Sequence, residues 1–356
     1  MMMNPTPISA ETASQQAGGT QSAAGLSIVV PLFNEGAGLA QFHTQLAEVA
    51  RQLRRQRGLR TEVVYVDDGS RDDSLAVAQS LIAEALDVQV VSLSRNFGKE
   101  AAMVAGLDHA RFGAVLFMDG DGQHPPALIP TLVGHWLDEG YDVVFTAKAS
   151  RANEPRLRRF GVRAFYWVLN WKNRAPIPEN AGDFRLLSPR AADALRRLPE
   201  RNRFFKGLAS WIGFRQYRVD YEPAERAHGS TSWSPYALIG LSIEGLTSFS
   251  VAPLRLASLL GLTMALAALL FGASILWETL FEGKSVPGYP SLVVGLMVLG
   301  GVQLIMIGIM GEYIGKVLSE IKHRPVYFVA EHSVRTVEGS ADRLSRAAAP
   351  TRTAAE

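Results

Sequence analysis

Two carboxylates stand one residue apart at the end of a short apolar run. Residues 115–118 predict a buried strand, and Asp119 and Asp121 follow it, with Gln123 and His124 close behind. Oxygen ligands of this kind are what Mg²⁺ and Mn²⁺ prefer, usually completed by substrate phosphates. The pattern predicts a divalent metal site at this strand end. An ordinary turn is the alternative, because Asp and Gly are common in turns.

Gly120, between the two carboxylates, and the absence of cysteine limit what such a site can hold. Gly120 has no side chain, so we expect a bulky ligand to approach the main chain there. The chain contains no cysteine, which excludes disulfides, thiolate metal sites and cysteine nucleophiles. A metal is therefore held by oxygen or by histidine nitrogen.

Strands and helices alternate through the first 150 residues or so. Predicted strands run from Leu26 to a break at Pro31 and over residues 62–66, 88–93, 115–118 and 141–146. Predicted helices cover residues 39–57 and 100–110, and a shorter helix reaches Leu81 with Ser70 or Asp72 as its cap. This order predicts a parallel sheet with right-handed crossovers.

Polar residues follow three of the predicted strands. They are Asn34 with Glu35, Asp67 with Asp68, and Asp119 with Asp121. Ligands of parallel sheets bind at the carboxyl ends of the strands, so we expect these side chains to meet in one site. For Asp68 and Ser70, capping of the local turn is an equal alternative.

Length and charge limit the class of protein. The 356 residues have room for two domains, and 36 Lys and Arg nearly balance 34 Asp and Glu, which argues against a general nucleic-acid binder. Residues 1–25 are rich in Ser, Ala, Gln, Gly and Thr and lack Lys and Arg. They are predicted to be a disordered tail and do not form a signal peptide.

Residues 148–174 combine basic and aromatic side chains, with Glu154 as the one acid. This mixture suits the headgroup region of an anionic membrane. RNA binding is the competing interpretation, but no RNA-binding signature accompanies it. Residues 236–249 are apolar with few charges and predict a helix lying on the membrane surface.

Two apolar runs, residues 256–277 and 291–310, reach the length that crosses a bilayer. A buried hairpin in a soluble protein is the alternative. Basic residues flank the pair, Arg255 before and Lys316 among others after, which predicts both ends on the cytoplasmic side. Glycines in the second run would permit close helix packing, and hence a homo-oligomer.

Several motifs fall in an order that is typical of one family. They are Val29-Val-Pro-Leu-Phe-Asn-Glu35, Val66-Asp-Asp-Gly-Ser70, Asn96-Phe-Gly-Lys99, Met118-Asp-Gly-Asp-Gly-Gln-His-Pro125 and Gly182-Asp-Phe-Arg-Leu186. Over residues 26–330 the chain resembles family 2 glycosyltransferases, and more narrowly those that act on polyprenyl phosphates, the dolichol-phosphate mannose synthases and bactoprenol glucosyltransferases. Glu244-Gly-Leu-Thr-Ser-Phe-Ser250 and Gly311-Glu-Tyr-Ile-Gly315 resemble the bactoprenol branch.

The resemblance implies an α/β GT-A nucleotide-sugar-binding domain with a parallel-rich sheet, interfacial helices and a two-span membrane hairpin. The expected division is a tail over 1–25, a cytoplasmic catalytic domain over 26–235, an interfacial helix over 236–253, two transmembrane helices over 254–315 and a cytoplasmic segment with a disordered tail over 316–356. The expected location is the bacterial inner membrane.

The resemblance also implies roles for individual residues. The nucleotide sugar is expected at Pro31, Asn34, Glu35, Asp67, Asp68, Lys99 and Asp119, and Mg²⁺ or Mn²⁺ at Asp119, Asp121 and Gln123. Catalytic roles are expected for Asp121, Asp183, Arg203 and Lys206, and lipid-phosphate binding for Lys148, Arg151 and Arg159. In one departure, Ser232 stands where relatives often carry a lysine, which shifts any phosphate role of that loop to His228 or Arg226.

The activity that the resemblance implies is inverting transfer of a sugar, with UDP-glucose favoured as donor, to polyprenyl (undecaprenyl) phosphate. An acceptor phosphate is largely dianionic at neutral pH, since its second pKa is about 6. We therefore expect Asp183 to act by position and charge and not as a strong general base. The alternatives are a processive polysaccharide synthase and a non-catalytic membrane scaffold with the same fold.

Overall fold

The computed structural model describes residues 23–148, 166, 170, 178, 181–200, 205–222, 252–281 and 288–338. Most of the basic and aromatic stretch 148–174 and residues 236–251 lie outside these ranges. The surface helix predicted at 236–249, Arg151, Arg159 and Arg203 therefore stay predictions.

The described strands form a single eight-stranded sheet in the order β7-β5-β6-β4-β1-β2-β3-β8. The strands are β1 (Ala23–Leu32), β2 (Thr61–Asp67), β3 (Asp87–Leu93), β4 (Phe112–Phe117), β5 (Val143–Lys148), β6 (Ala181–Leu187), β7 (Gln216–Tyr221) and β8 (Val329–Arg335). Strands β4, β1, β2 and β3 are mutually parallel, as the alternation of strands and helices predicts.

Three pairings of this parallel-rich sheet are antiparallel, which the alternation of strands and helices does not predict. Strand β6 lies between β4 and β5 and runs antiparallel to both, and β8 runs antiparallel to β3. In the β4–β6 pairing Phe117 stands opposite Arg185. Because β6 runs the other way, its first residues lie beside the carboxyl end of β4. The reversal therefore brings Asp183 to the edge where Asp119 stands.

Six of the described helices cover the two faces of the sheet. They are α1 (Gly36–Arg57), α2 (Ser74–Ser80), α3 (Lys99–His109), α4 (Ile129–Leu137), α5 (Pro189–Arg196) and α6 (Phe205–Trp211). Two long helices, α7 (Ala252–Phe281) and α8 (Tyr289–Ile321), follow them in the chain. One apolar core lies under α1, α2 and α4, and a second lies under α3, α5 and α6. The sheet is thus the middle layer of a three-layer α/β domain.

Helix α1 begins three residues before the predicted start. Its apolar stripe, which includes Leu39, Phe42 and Leu46, is buried as the spacing of three and four predicts. The earlier start follows from polar contacts at its amino end, where the main-chain N–H of Glu35 donates to Ser74 Oγ at 2.8 Å. Gly58 ends the helix at a φ of 63°, a left-handed conformation that favours glycine.

Strand β8 was not predicted from the sequence. It follows helix α8 and closes the edge of the sheet at β3. A ring nitrogen of His332 lies 2.9 Å from Gln89 Oε1, and the main-chain N–H of Val337 donates to Asp87 Oδ1 at 2.8 Å. The chain that leaves the second apolar helix is therefore built into the α/β domain.

Helices α7 and α8 are long and apolar enough to cross a membrane, by length and composition. The apolar segments Pro253–Ile275 and Val294–Ile321 each have a mean hydropathy of 2.1. Among the described residues, 6% of the first segment and 0% of the second is buried. The helices approach each other where Met306 Cε would lie 3.7 Å from a Cβ placed on Gly261. This exposure is unlike that of a buried hairpin in a soluble protein.

Candidate active site

One lysine joins two of the predicted site residues. Lys99, the first residue of α3, places Nζ 2.6 Å from Asp119 Oδ1 and 2.7 Å from Asp183 Oδ2. Lys206 Nζ of α6 lies 3.4 Å from the other oxygen of Asp183. The end of β4, the start of β6 and the starts of two helices thus meet at one point. Of the six strand-end residues expected to meet in one site, Asp119 lies at this point, together with Asp183 and the two lysines.

The charge of Asp183 is set by its neighbours. Burial alone would raise its pKa, but Lys99 and then Lys206 hold the pKa well below the usual range of a carboxyl group. For Lys99 the effects are reversed: burial alone would lower its pKa, but the charges of Asp183 and Asp119 raise it. Asp183 is therefore a carboxylate at neutral pH, and a carboxylate of such low basicity is poorly suited to accept a proton.

The Asp-Gly-Asp turn is held by its own side chains. The main-chain N–H of Asp119 donates to His124 Nδ1 at 3.1 Å, and that of Gln123 donates to Asp121 Oδ1 at 3.0 Å. His124 is buried against the rings of Phe184 and Tyr221. Burial lowers the pKa of His124, so the ring is neutral at pH 7 and its Nδ1 is free of a proton.

The space beside Gly120 is occupied by the protein. A Cβ at this position would lie 2.8 Å from Glu35 Oε2, 3.1 Å from Leu32 Cδ2 and 3.3 Å from Val30 Cγ1. The expectation that the glycine admits a bulky ligand is therefore wrong on this side of the main chain. The glycine is needed because the end of β1 packs directly against it.

Asn34 connects the loops that follow β1 and β2. Its Oδ1 accepts a hydrogen bond from the main-chain N–H of Arg71 at 2.8 Å, and its own N–H donates to Ser70 Oγ at 3.1 Å. Its φ of 58° is uncommon for a residue other than glycine. The side chain of Asn34 thus fixes the shape of the two loops at the site.

The acidic residues after β2 also bind the main chain. Asp68 accepts from the N–H groups of Phe97 and Gly98 at 2.7 and 2.8 Å, and Asp67 accepts from that of Ser70 at 3.2 Å. Burial raises the pKa of Asp68, and the two N–H donors oppose that rise. Asp68 therefore holds the distant loop that precedes Lys99, whereas the local turn is capped by Asp67.

Neither predicted residue is the cap of helix α2. The N-cap is Asp73, and its side chain makes no capping hydrogen bond. Asp72, one residue earlier, accepts from the main-chain N–H of Ser74 at 3.0 Å, and Ser70 accepts from the main-chain N–H of Asn34. The prediction of Ser70 or Asp72 as the cap is therefore wrong.

The residues of the Asp-Gly-Asp turn suit a divalent cation that is shared with substrate. Within the described ranges, no group of three or more Asp, Glu, His or Cys side chains is placed to hold a metal on its own. Mg²⁺ is usually bound through one or two carboxylates plus substrate phosphates, so Asp119, Asp121 and the Gln123 amide fit such a site.

Two charged residues near Asp183 escaped the sequence analysis. Arg185 is 3% exposed and donates to Gly182 O at 2.9 Å, and Glu100 Oε2 accepts from the main-chain N–H of Phe205 at 3.1 Å. The alternation of strand β6 would have placed Arg185 on the same face as Asp183. For Glu100 the sequence offers no signal, because its partner is a main-chain group of a distant helix.

The remaining predicted residues are placed only in part. Pro31 is buried in β1 opposite Val66 of β2. Lys148 ends β5, with its main chain opposite Tyr221, and its side chain lies outside the described part of the structure. The role of Lys148 in lipid-phosphate binding therefore stays a prediction.

A mixed, parallel-rich sheet between helices, with an Asp-Gly-Asp turn at a strand end, defines a GT-A-type nucleotide-sugar transferase. The family model for glycosyl transferase family 2 matches residues 27–193. The chain belongs to this family, since relatives at about 40% identity align over nearly their whole length.

Three relatives illustrate the similarity. A bactoprenol glucosyl transferase of Shigella phage SfV is 41% identical over 85% of this chain and 97% of the relative. An uncharacterized glycosyltransferase of Synechocystis sp. is 40% identical over 86% and 95%. A prophage bactoprenol glucosyl transferase homolog of Escherichia coli is 39% identical over 85% and 98%.

Proposed function

We propose that the protein transfers a hexose, with UDP-glucose as the favoured donor, to polyprenyl phosphate. The observation that carries the proposal is the Lys99 bridge, which brings Asp119 of the Asp-Gly-Asp turn together with Asp183. The names of the bactoprenol glucosyl transferase relatives support a polyprenyl phosphate as acceptor and glucose as the sugar. The proposed product is a lipid-linked sugar of inverted configuration.

The proposed donor site lies along the carboxyl ends of β1, β2 and β4. Asp119, Asp121 and Gln123 would hold Mg²⁺ or Mn²⁺, which as a Lewis acid neutralises the charge of a departing diphosphate. Pro31, Glu35 and Asp67 are proposed to line the nucleotide site. Asn34 and Asp68 act at the same site by fixing its loops.

The proposed acceptor side is basic. The phosphate of the lipid is largely dianionic at neutral pH and needs no strong base to attack the anomeric carbon. Asp183, whose pKa is held low by Lys99 and Lys206 against the effect of burial, is suited to orient groups by its charge. Lys206 and Arg203 are proposed to face the reacting groups, and Lys148, Arg151 and Arg159 to receive the lipid phosphate.

The two apolar helices support a membrane location. They are proposed to cross the bacterial inner membrane as a hairpin with both ends in the cytoplasm, so that the α/β domain works at the cytoplasmic face. Strand β8 follows α8 and pairs with β3 of the α/β domain. This pairing supports a hairpin whose outgoing end lies on the same side of the membrane as the α/β domain. Contact with anionic lipids and a homo-oligomer are further proposals.

The test is Asp121→Asn in the full-length protein, assayed with UDP-glucose, Mn²⁺ and undecaprenyl phosphate. Loss of a charged metal ligand should lower turnover by about 100-fold or more with little change in thermal unfolding. Asp193→Asn is the matched control, because Asp193 pairs with Arg197 on an exposed helix surface. Near-normal turnover of Asp121→Asn at low metal concentration would overturn the metal assignment.

A panel of donors and acceptors separates the alternatives. A lipid carrying a single sugar supports the proposed reaction, whereas growth of a long sugar chain would indicate a processive synthase. No transfer from any donor, with nucleotide binding retained, would indicate a non-catalytic scaffold.

A further inference from the structure

The main chain of Phe205 is held on both sides by charged residues, the half-buried Glu100 and the buried Arg185. Its N–H donates to Glu100 Oε2 of α3 at 3.1 Å, and its carbonyl oxygen accepts from Arg185 Nη1 of β6 at 3.4 Å. Its ring is 1% exposed and meets Phe117 of β4 edge-on, with 5.1 Å between ring centroids. Three elements of the α/β domain thus fix one residue.

Phe205 is also the residue that starts α6. The next residue along the chain is Lys206, whose Nζ lies 3.4 Å from Asp183 Oδ1. A shift of the Phe205 main chain would therefore move Lys206 relative to Asp183. Glu100, in turn, directly follows Lys99, the other cation on Asp183.

Several charged groups surround the Glu100 carboxyl group. Among the described residues they are Asp183 and Arg185 of β6, Lys206 of α6 and Lys99 of its own helix. Burial and then Asp183 raise the pKa of Glu100 to about 7, and the N–H of Phe205, Lys206 and Lys99 oppose that rise. Glu100 therefore changes charge near neutral pH, while Asp183 and Lys99 stay ionised.

We propose that Glu100 and Arg185 are positioning residues, which set Lys206 against Asp183 by holding the main chain of Phe205. Both roles presuppose the glycosyl transfer proposed above. When Glu100 is ionised it accepts a charge-assisted hydrogen bond from Phe205, which is stronger than the bond to a neutral acid. The hold on α6 thus tightens as the pH rises through neutrality.

The test compares Glu100→Gln with Glu100→Leu in the full-length protein. Glutamine keeps an oxygen that accepts from Phe205, whereas leucine has none. Glu100→Leu should lower kcat about tenfold or more with the KM for donor nearly unchanged, since a misplacement of 1 Å can cost about 100-fold. Glu100→Gln should recover most of that loss. Glu48→Leu, at an exposed position of α1, is the control.

Two further measurements separate positioning from a general loss of structure. The ratio of wild-type to Glu100→Gln rates should change between about pH 6 and 8 with a midpoint near 7, because only the wild type titrates there. Amide hydrogen exchange over residues 205–211 should rise in Glu100→Leu and stay near wild type in Glu100→Gln.

The outcomes also separate this role from the proposed reaction. A constant rate ratio across this pH range, or full activity of Glu100→Leu, would overturn the positioning role even where Asp121→Asn is inactive. Should Glu100→Leu fail to fold, the pH profile of Glu100→Gln still decides. If Asp121→Asn retains full activity, the proposed metal site fails independently of Glu100.

Discussion

Replacing Glu62 with glutamine is expected to destabilise the α/β domain strongly. Glu62 lies in β2, is 0% exposed, and sits near the sheet edge opposite the candidate active site. Its carboxylate accepts from Ser27 Oγ, from Gln89 Nε2 at 2.8 Å and from both the N–H and Nε of Arg111, at 2.7 and 2.6 Å. Four donors from three segments of chain thus converge on one side chain.

The size of the effect follows from these contacts. Glutamine keeps one accepting oxygen, but its NH₂ group must face N–H donors of Gln89 or Arg111. The charge pair between the buried Glu62 and Arg111, whose side chain is 38% exposed, is also lost. Breaking a buried pair by removing one partner costs about 3–5 kcal/mol. Because Arg111 keeps Asp87 as a second partner at 2.7 Å, we expect the lower end, about 3 kcal/mol.

The assay is thermal unfolding of the detergent-solubilised full-length protein, followed by tryptophan fluorescence. For domains of this size 1 kcal/mol shifts Tm by about 2–4 °C, so Glu62→Gln should lower Tm by about 6–12 °C. Glu48→Gln is the control, because Glu48 pairs with Arg51 on the exposed surface of α1 and such pairs are worth about 0.2–1 kcal/mol. A shift for Glu62→Gln no larger than that of the control would refute the reasoning.

Two other predictions concern the site and the packing of α3. Burial alone would raise the pKa of Asp183, but Lys99 and Lys206 hold it low, so Asp183→Asn should lose rate without a new dependence on high pH between about pH 6 and 9. If the single-turnover rate of Asp183→Asn instead climbs about tenfold per pH unit, Asp183 acts as a general base. Gly106→Ala should cost about 1–3 kcal/mol by chemical denaturation, because the new methyl group would lie 2.1 Å from Val29 Cγ1. Gly38→Ala, with nothing within 4 Å among the described residues, should be neutral or slightly stabilising.

The part of the site that sequence predicts well is the part carried by strand ends. Asp119 meets Lys99 because a buried apolar strand and the start of a helix are both visible as local patterns, and parallel strands share one carboxyl edge. Asp183 reaches the site because β6 runs antiparallel to its neighbours, and the residues of a strand do not reveal its direction in the sheet. Asp183 was therefore predicted from the family resemblance and not from the pattern of apolar residues.

The missed features are those fixed by distant partners. Strand β8 is mostly exposed, so no clear alternation of apolar and polar residues marks it. Its place is set by contacts such as that between His332 and Gln89, which lie 243 residues apart in the chain. Glu100 has the same character, since its role is defined by the main chain of Phe205 and not by a motif.

The pairing of β8 with β3 has a consequence for how the protein is made. Val337 bonds to Asp87 across 250 residues of chain, and both apolar helices are synthesised in between. At about 5–20 residues per second, a ribosome needs roughly 12–50 s to cover that distance. Throughout this time the edge of β3 has main-chain groups without their final partner, a state that invites pairing with other chains. The sheet is therefore completed only after translation has passed both apolar helices, which ties maturation of the α/β domain to synthesis of those helices.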